Sequence, residues 1–259
     1  MKIMRTKNFL KLLACVLAVS LLVAFLANAS GIAKPLGNKK LPVKGDLITL
    51  DSKKYRVLKI NGSVAEVLAM YDSTDSLAFD ARTSGNNNTY ADSSLDVYLS
   101  QTFYDSLSAE MQSAIVAKTF KQDSWFCASK SDAVAKYNGT YQNTNNYTLS
   151  LMSTSYGDSI SIKCYALSCQ DVIDYLEVTA SMNFSDTTLT SENVWKMFWD
   201  QTTSPGMVYP WLRSANSDYS DYAFRVTGSS GYLSSFTVSN ARAVRPAFQI
   251  DLAKVTWSK

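Results

Sequence analysis

The chain has 259 residues, 46% of them apolar and 18% charged, which is an ordinary globular composition with enough apolar mass for a full core and excludes disorder throughout. It contains no histidine, so Ser-His-Asp and Cys-His nucleophilic sites and every His-ligated metal site are excluded. The formal charge of +3 arises at the N-terminus: without Lys2, Arg5, Lys7 and Lys11, 21 basic residues stand against 22 acidic ones, about −1, and no basic patch for nucleic acid remains.

Those four cations form a basic n-region ahead of the apolar run LLACVLAVSLLVAFLA and the small-x-small triplet Ala27-Asn28-Ala29. Residues 1–29 read as a secretory signal peptide, with the exported chain beginning near Ser30. The other reading is a retained membrane anchor, since the apolar run approaches the length that spans a bilayer with tilt. Residues 30–44, rich in Gly, Pro and Lys without periodicity, read as a linker, and 45–259 as a single domain. Three cysteines follow the signal: Cys127, Cys164 and Cys169. Two readings stand, buried apolar thiols or one disulfide with an odd thiol left over.

Asp46–Leu50, Tyr55–Ile60 and Val64–Met70 are β-prone runs, and Asn61-Gly62 between the last two is a strong hairpin signal, so the domain starts with a meander. A polar loop over 83–89 precedes a helix capped by Asp92 or Ser93 and running through Leu95, Val97, Tyr98 and Phe103. A second helix is expected from Ser108, with Met111, Ile115 and Val116 as its apolar stripe. The Asn-, Ser- and Thr-rich stretch Asp123–Tyr165 reads as a long surface loop or irregular strands. Ser168 with Asp171 forms a capping box ahead of Val172, Tyr175 and Leu176, and Ser191–Trp199 is a further helix with Trp195, Phe198 and Trp199 on one face.

From Tyr209 to Leu252 the pattern is that of strands. Tyr222, Phe224 and Val226 alternate with smaller or polar residues, and Tyr232, Phe236 and Val238 repeat the parity beyond Gly228–Gly231, which predicts a hairpin. Val244, Pro246, Phe248 and Ile250 add a third strand, placed at an edge or bulge by the proline. The fold class expected is α+β, an antiparallel sheet with a C-terminal three-stranded hairpin region and flanking helices.

The segments GDLITLDSKKYRVLKINGSVAEVLAM, SQTFYDSLSAEMQSAI and YALSCQDV, and above all PWLRSA with AVRPAFQIDL, resemble in that order the bacterial family catalogued as domain of unknown function 6273. Pro210 departs from its pattern, in which a second tryptophan commonly precedes Trp211, and Asp123–Tyr165 looks like an insertion. The resemblance implies a secreted or cell-surface protein of a Gram-positive bacterium. The terminal layout is also similar to the C-type lectin-like fold shared by formylglycine-generating enzymes and bacterial adhesion domains, although fold does not carry function.

The function expected from these features is a non-catalytic binding or adhesion module for an extracellular glycan or protein. The alternatives are an enzyme of the formylglycine-generating type or a structural envelope protein. Trp211 together with Asp218, Tyr219 and Asp221 of the loop Ser214–Asp221 is the candidate ligand surface, because tyrosine and tryptophan give rigid contact area with a polar handle. The other reading has Trp211 in the core and the loop as a solvated turn. Arg213 and Arg245 are assigned a structural role, tying carboxylates or carbonyls beside the sheet. No catalytic residue, metal or cofactor is assigned; the loop oxygens lack an Asp-x-Asp-x-Asp-Gly arrangement for calcium. Contact with a membrane is expected only through the N-terminal segment if it is retained.

Overall fold

The computed structural model describes residues 40–81, 87–128, 148–177, 191–229, 231 and 233–259. The signal segment, most of the linker, the Asn-rich centre around Tyr141 and the side chain of Cys127 lie outside the described residues. The architecture of the described residues is α+β, with three mostly antiparallel sheets and a few short helices.

The meander forms as β1 (Leu47–Leu50), β2 (Lys53–Asn61) and β3 (Val64–Ala69). Asp51 and Ser52 both take positive φ between the paired Leu50 and Lys53, the backbone a tight two-residue hairpin needs. The second turn is Gly62-Ser63, between the paired Asn61 and Val64, with Gly62 alone at positive φ. β4 (Thr74–Ala78) and the buried Phe79 then lead to α1 (Ser94–Val97), whose N-cap Ser93 accepts from the Asp96 amide. A π-helical turn over Tyr98–Phe103 continues it. The helix capped by Ser108, α2 (Ala109–Ala114), is shorter than its apolar stripe: Ile115-Val116 leave it as β5, because Ile115 and Val116 pair with β13.

Of the stretch Asp123–Tyr165, the described residues take the strand reading and not the loop one: they end β6 (Lys118–Ala128) and form β7 (Thr148–Ile162), two long strands paired with register shifts. Serine and threonine satisfy a strand backbone as well as a loop, and in a two-stranded ribbon at a sheet edge they need no apolar alternation. Next come β8 (Cys164–Tyr165), α3 (Cys169–Leu176) with a complete Ser168/Asp171 capping box, and α4 (Ser191–Trp199), which buries Val194, Met197 and Phe198 while Trp195 and Trp199 stay half-buried.

The C-terminal run forms β9 (Trp211–Asn216), β10 (Tyr222–Val226), β11 (Leu233–Thr237), β12 (Ala241–Val244) and β13 (Ala247–Asp251). The hairpin is β10 against β11, but the expected third strand does not join it. At Arg245-Pro246, where proline supplies no ladder donor, the chain leaves β12, paired with β4, and becomes β13, an interior strand between β3 and the end-to-end pair β5 and β8. The run is thus divided over three sheets: a six-stranded one (β1-β2-β3-β13-β5/β8), a five-stranded one (β11-β10-β9-β6-β7, with β9 and β6 parallel) and the ribbon β12-β4.

Two aromatic chains mark the core. Tyr71, Tyr55 and Phe248 meet edge to face, and Tyr165, Phe120, Tyr90, Phe79 and Trp211 form a longer series at centroid separations of 5.7 to 6.4 Å. Thr49 and Ser258 exchange backbone hydrogen bonds of 2.7 and 3.2 Å, so the last residues dock beside β1.

Candidate functional site

β9 is buried along its whole length, because β10 and β6 flank it and aromatic side chains cover it. Trp211 is 1% exposed, and its Nε1 donates to the Leu77 carbonyl at 2.9 Å. The tryptophan therefore sits in the core, apart from the loop residues grouped with it on sequence. Asp218 and Tyr219 are exposed, Asp221 is half-buried, and Tyr219 lies 5.4 Å from the Tyr222 ring. Asn88 holds this loop by donating through Nδ2 to the carbonyls of Asn216, Tyr219 and Tyr222 at 2.8, 3.0 and 2.8 Å.

The same strand carries Arg213 into a cleft of about 840 Å³ lined by Glu66, Lys118, Asp123, Asp171 and Arg213 among others. The five floor residues come from four elements. β3 supplies Glu66, β6 supplies Lys118 and Asp123, the first turn of α3 supplies Asp171, and β9 supplies Arg213. Asp171 is placed by its cap: Ser168 donates its amide to Oδ2 at 2.8 Å and accepts the Asp171 amide at 3.0 Å. Its carboxylate then receives Arg213 Nη1 on Oδ2 at 2.5 Å and Lys118 Nζ on Oδ1 at 3.0 Å. Lys118 also donates to Glu66 Oε1 at 2.6 Å, as does the Tyr165 hydroxyl at 2.6 Å. Arg213 adds a bond to the Ala166 carbonyl at 2.9 Å and lies over the Phe120 ring at 4.0 Å.

Electrostatics follow from this pairing. Burial works against ionisation of Asp171, but the charges of Arg213 and Lys118 and the Ser168 amide outweigh it and hold the carboxyl well below the usual range. Arg213 is likewise raised, Asp171 and Asp123 overcoming its burial. Burial and the Glu66 charge push the Tyr165 phenol up. Asp123 goes the other way for a carboxylate: burial raises it, while Arg213 and donors from Trp125 Nε1 and Ser214 Oγ (2.8 Å) restrain the rise. The floor is a set of oriented donors and acceptors between two sheets, suited to hydrogen-bonding a polar ligand.

Arg245 has a separate setting. Its Nε donates to Asp72 at 2.8 Å, its Nη1 to the Phe198 carbonyl, and its guanidinium lies 5.0 Å from the Trp199 ring. Cys164 and Cys169 are buried thiols, and burial pushes Cys164 up to about 12. Among the described residues no three His, Cys, Asp or Glu side chains gather as a metal-ligand set, and no helix is long and apolar enough to cross a membrane.

Sequence reasoning singled out Arg213 and the Ser168/Asp171 cap, yet it did not connect them; Glu66, Lys118, Asp123 and Tyr165 gave no local signal. No curated protein and no solved structure matches the chain. The family model described as Domain of unknown function (DUF6273) matches residues 67–252, a span that takes in Lys118, Asp123, Tyr165, Asp171 and Arg213, and the chain belongs to that family.

Proposed function

We propose that the chain is a non-catalytic binding module, secreted or held at the outer surface of a Gram-positive bacterium, that takes a polar extracellular ligand, a glycan or a peptide, in the cleft above Arg213 and Lys118. The observation that carries this reading is the mutual pairing of the floor charges. Proton-transfer catalysis works best with a group that titrates near the operating pH, whereas Asp171 is driven down and Arg213 and Tyr165 up, and Asp123, the one floor carboxyl that burial raises, is engaged by Trp125 Nε1 and Ser214 Oγ. The same pairing fixes the side chains in place, which lowers the ordering cost of binding. A C-type lectin-like fold is part of the proposal, supported by the docking of the C-terminal residues against β1. Against an enzyme of the formylglycine-generating type, which depends on reactive cysteine, stands the buried Cys164 thiol, raised to about 12.

A second surface is favoured by the clamped loop. Three bonds from Asn88 hold it, and Tyr219, 59% exposed, stands beside Asp218 and Asp221 as a rigid aromatic ledge. An array of glycans and cell-wall fragments, probed with the exported chain, tests the function. Gln170 and Gln249 also line the cleft, and changing both to alanine should abolish retention if the cleft binds; Asp218, Tyr219 and Asp221 changed together to alanine should do so if the ledge binds. Retention of no fragment by folded wild-type protein would favour the structural envelope reading. N-terminal sequencing settles the export route: a start near Ser30 supports secretion, and intact Met1 in the membrane fraction supports an anchor.

A further inference from the structure

Away from the cleft, β10, β11 and β12 gather two cations with no counter-charge among the described residues. Arg225 on β10 is paired in register with Ser234 on β11, so the two share a face, and Phe236 two residues on lies on that face as well. Arg242 comes from β12. The Phe236 ring centre is 4.0 Å from the Arg225 guanidinium carbon and 4.3 Å from that of Arg242; Tyr209 lies 4.5 and 5.6 Å from the same two atoms. Ring faces attract cations but do not neutralise them. Among the described residues neither arginine has an ion-pair partner, and the hydrogen bond that either makes is the one from Arg242 Nη1 to the adjacent Ala241 carbonyl.

Three further atoms point the same way. Nε of Arg225, Nε of Arg242 and Oγ of Ser234 are all buried and have no hydrogen-bond partner among the described residues. Buried donors are nearly always satisfied, and an uncompensated pair of like charges is costly to hold together. The strain shows in Arg225, which burial and the charge of Arg242 bring down to about 10. A group with a negative charge and several acceptor oxygens answers all of these needs at once, and a tetrahedral oxyanion has more acceptors than a carboxylate.

We propose that Arg225, Arg242 and Ser234 form a binding site for a sulfate or phosphate group, as the free ion or as an ester on a saccharide. The site is independent of the cleft, so it can stand or fall without the binding function assigned there. Titration calorimetry of the full exported chain with inorganic sulfate, inorganic phosphate, a sulfated disaccharide and its unsulfated parent reads it directly. Saturable binding of the oxyanions is expected, weakened about tenfold or more by Arg225→Gln and by Arg242→Gln and less by Arg242→Lys, which keeps charge but not the guanidinium fork. A disaccharide that binds more tightly than the inorganic ions identifies the ester as ligand; equal affinities identify the free ion. Sulfate stabilises proteins generally by exclusion, so a melting shift of equal size in wild type and in the double glutamine variant counts against the site. Wild-type protein that takes up none of the four, or variants that bind as wild type does, overturns it. If circular dichroism shows the double variant unfolded, the single variants Arg225→Gln and Ser234→Ala decide the matter: weaker oxyanion binding by folded protein supports the site, and wild-type binding overturns it.

Discussion

Two arginines in this protein stack on phenylalanine at the same distance and have opposite surroundings. Arg213 lies 4.0 Å from the Phe120 ring centre and Arg225 4.0 Å from that of Phe236. Arg213 is bonded to a carboxylate and a carbonyl and takes part in a network with Lys118 and Glu66, whereas Arg225 faces another arginine and two rings. Ring stacking is therefore common to both and decides neither role. Acceptors decide it: Arg213 has a carboxylate and a carbonyl on Nη1, with its Nε left over, while Arg225 has no acceptor among the described residues and keeps its capacity for an anion.

The largest effect should come from breaking the paired arginine. Arg213→Met leaves Asp171 and Asp123 in the interior without their main cation and should cost about 3–5 kcal/mol in urea unfolding. Adding Asp171→Asn to that variant should cost less than the two single losses combined, since both remove one interaction. A loss no greater than that of a surface substitution would make the two arginines equivalent. Gly228→Ala probes the other cluster's support. A Cβ there would meet the Val208 carbonyl at 2.4 Å and the Gly206 carbonyl at 2.8 Å, so the segment leading to Tyr209 must shift, at roughly 1–3 kcal/mol.

Acid should separate the clusters as well. Asp171 has a folded pKa below its ordinary 3.8, so the stability it contributes is present above that value and is lost as pH falls through and beyond it. Asp123, raised by burial, costs stability at neutral pH, and that cost is relieved as pH falls through its folded pKa. Denaturant midpoints followed from pH 7 downwards should therefore show the Asp171 loss last, and Asp171→Asn should flatten the limb below about pH 4. Arg225→Gln, in contrast, should leave stability within about 1 kcal/mol of wild type, because it exchanges ring contact for relief of repulsion. Smallest of all, Tyr219→Ala should move the unfolding midpoint by no more than about 0.5 kcal/mol, its side chain being exposed.

What could be read from the chain beforehand was local. Alternation fixed the β10–β11 hairpin, the Asn-Gly pair marked the β2–β3 turn, and Ser168 with Asp171 announced α3. The cleft escaped because its bonds join residues 42, 52 and 53 positions apart, and nothing in the vicinity of Lys118 or Glu66 encodes a partner at that range. The helical stripe of Met111, Ile115 and Val116 failed for the same reason: pairing with β13 overrides propensity once Ala114 is passed. Trp211 carried no such signal either way, since an aromatic on a strand reads alike as core or as contact surface, and only its neighbours Phe79 and Leu77 settle it.

The bridge between Thr49 and Ser258 makes the order of the gene a matter of convenience rather than necessity. With the two ends of the domain side by side, a few glycines and serines should join residue 259 to residue 45, and the chain could be reopened at the Gly62-Ser63 turn. Such a circular permutant would put β3 first and leave every sheet with its present neighbours, so that a fusion partner or label could be attached at the β2–β3 turn instead of at residues 45 and 259.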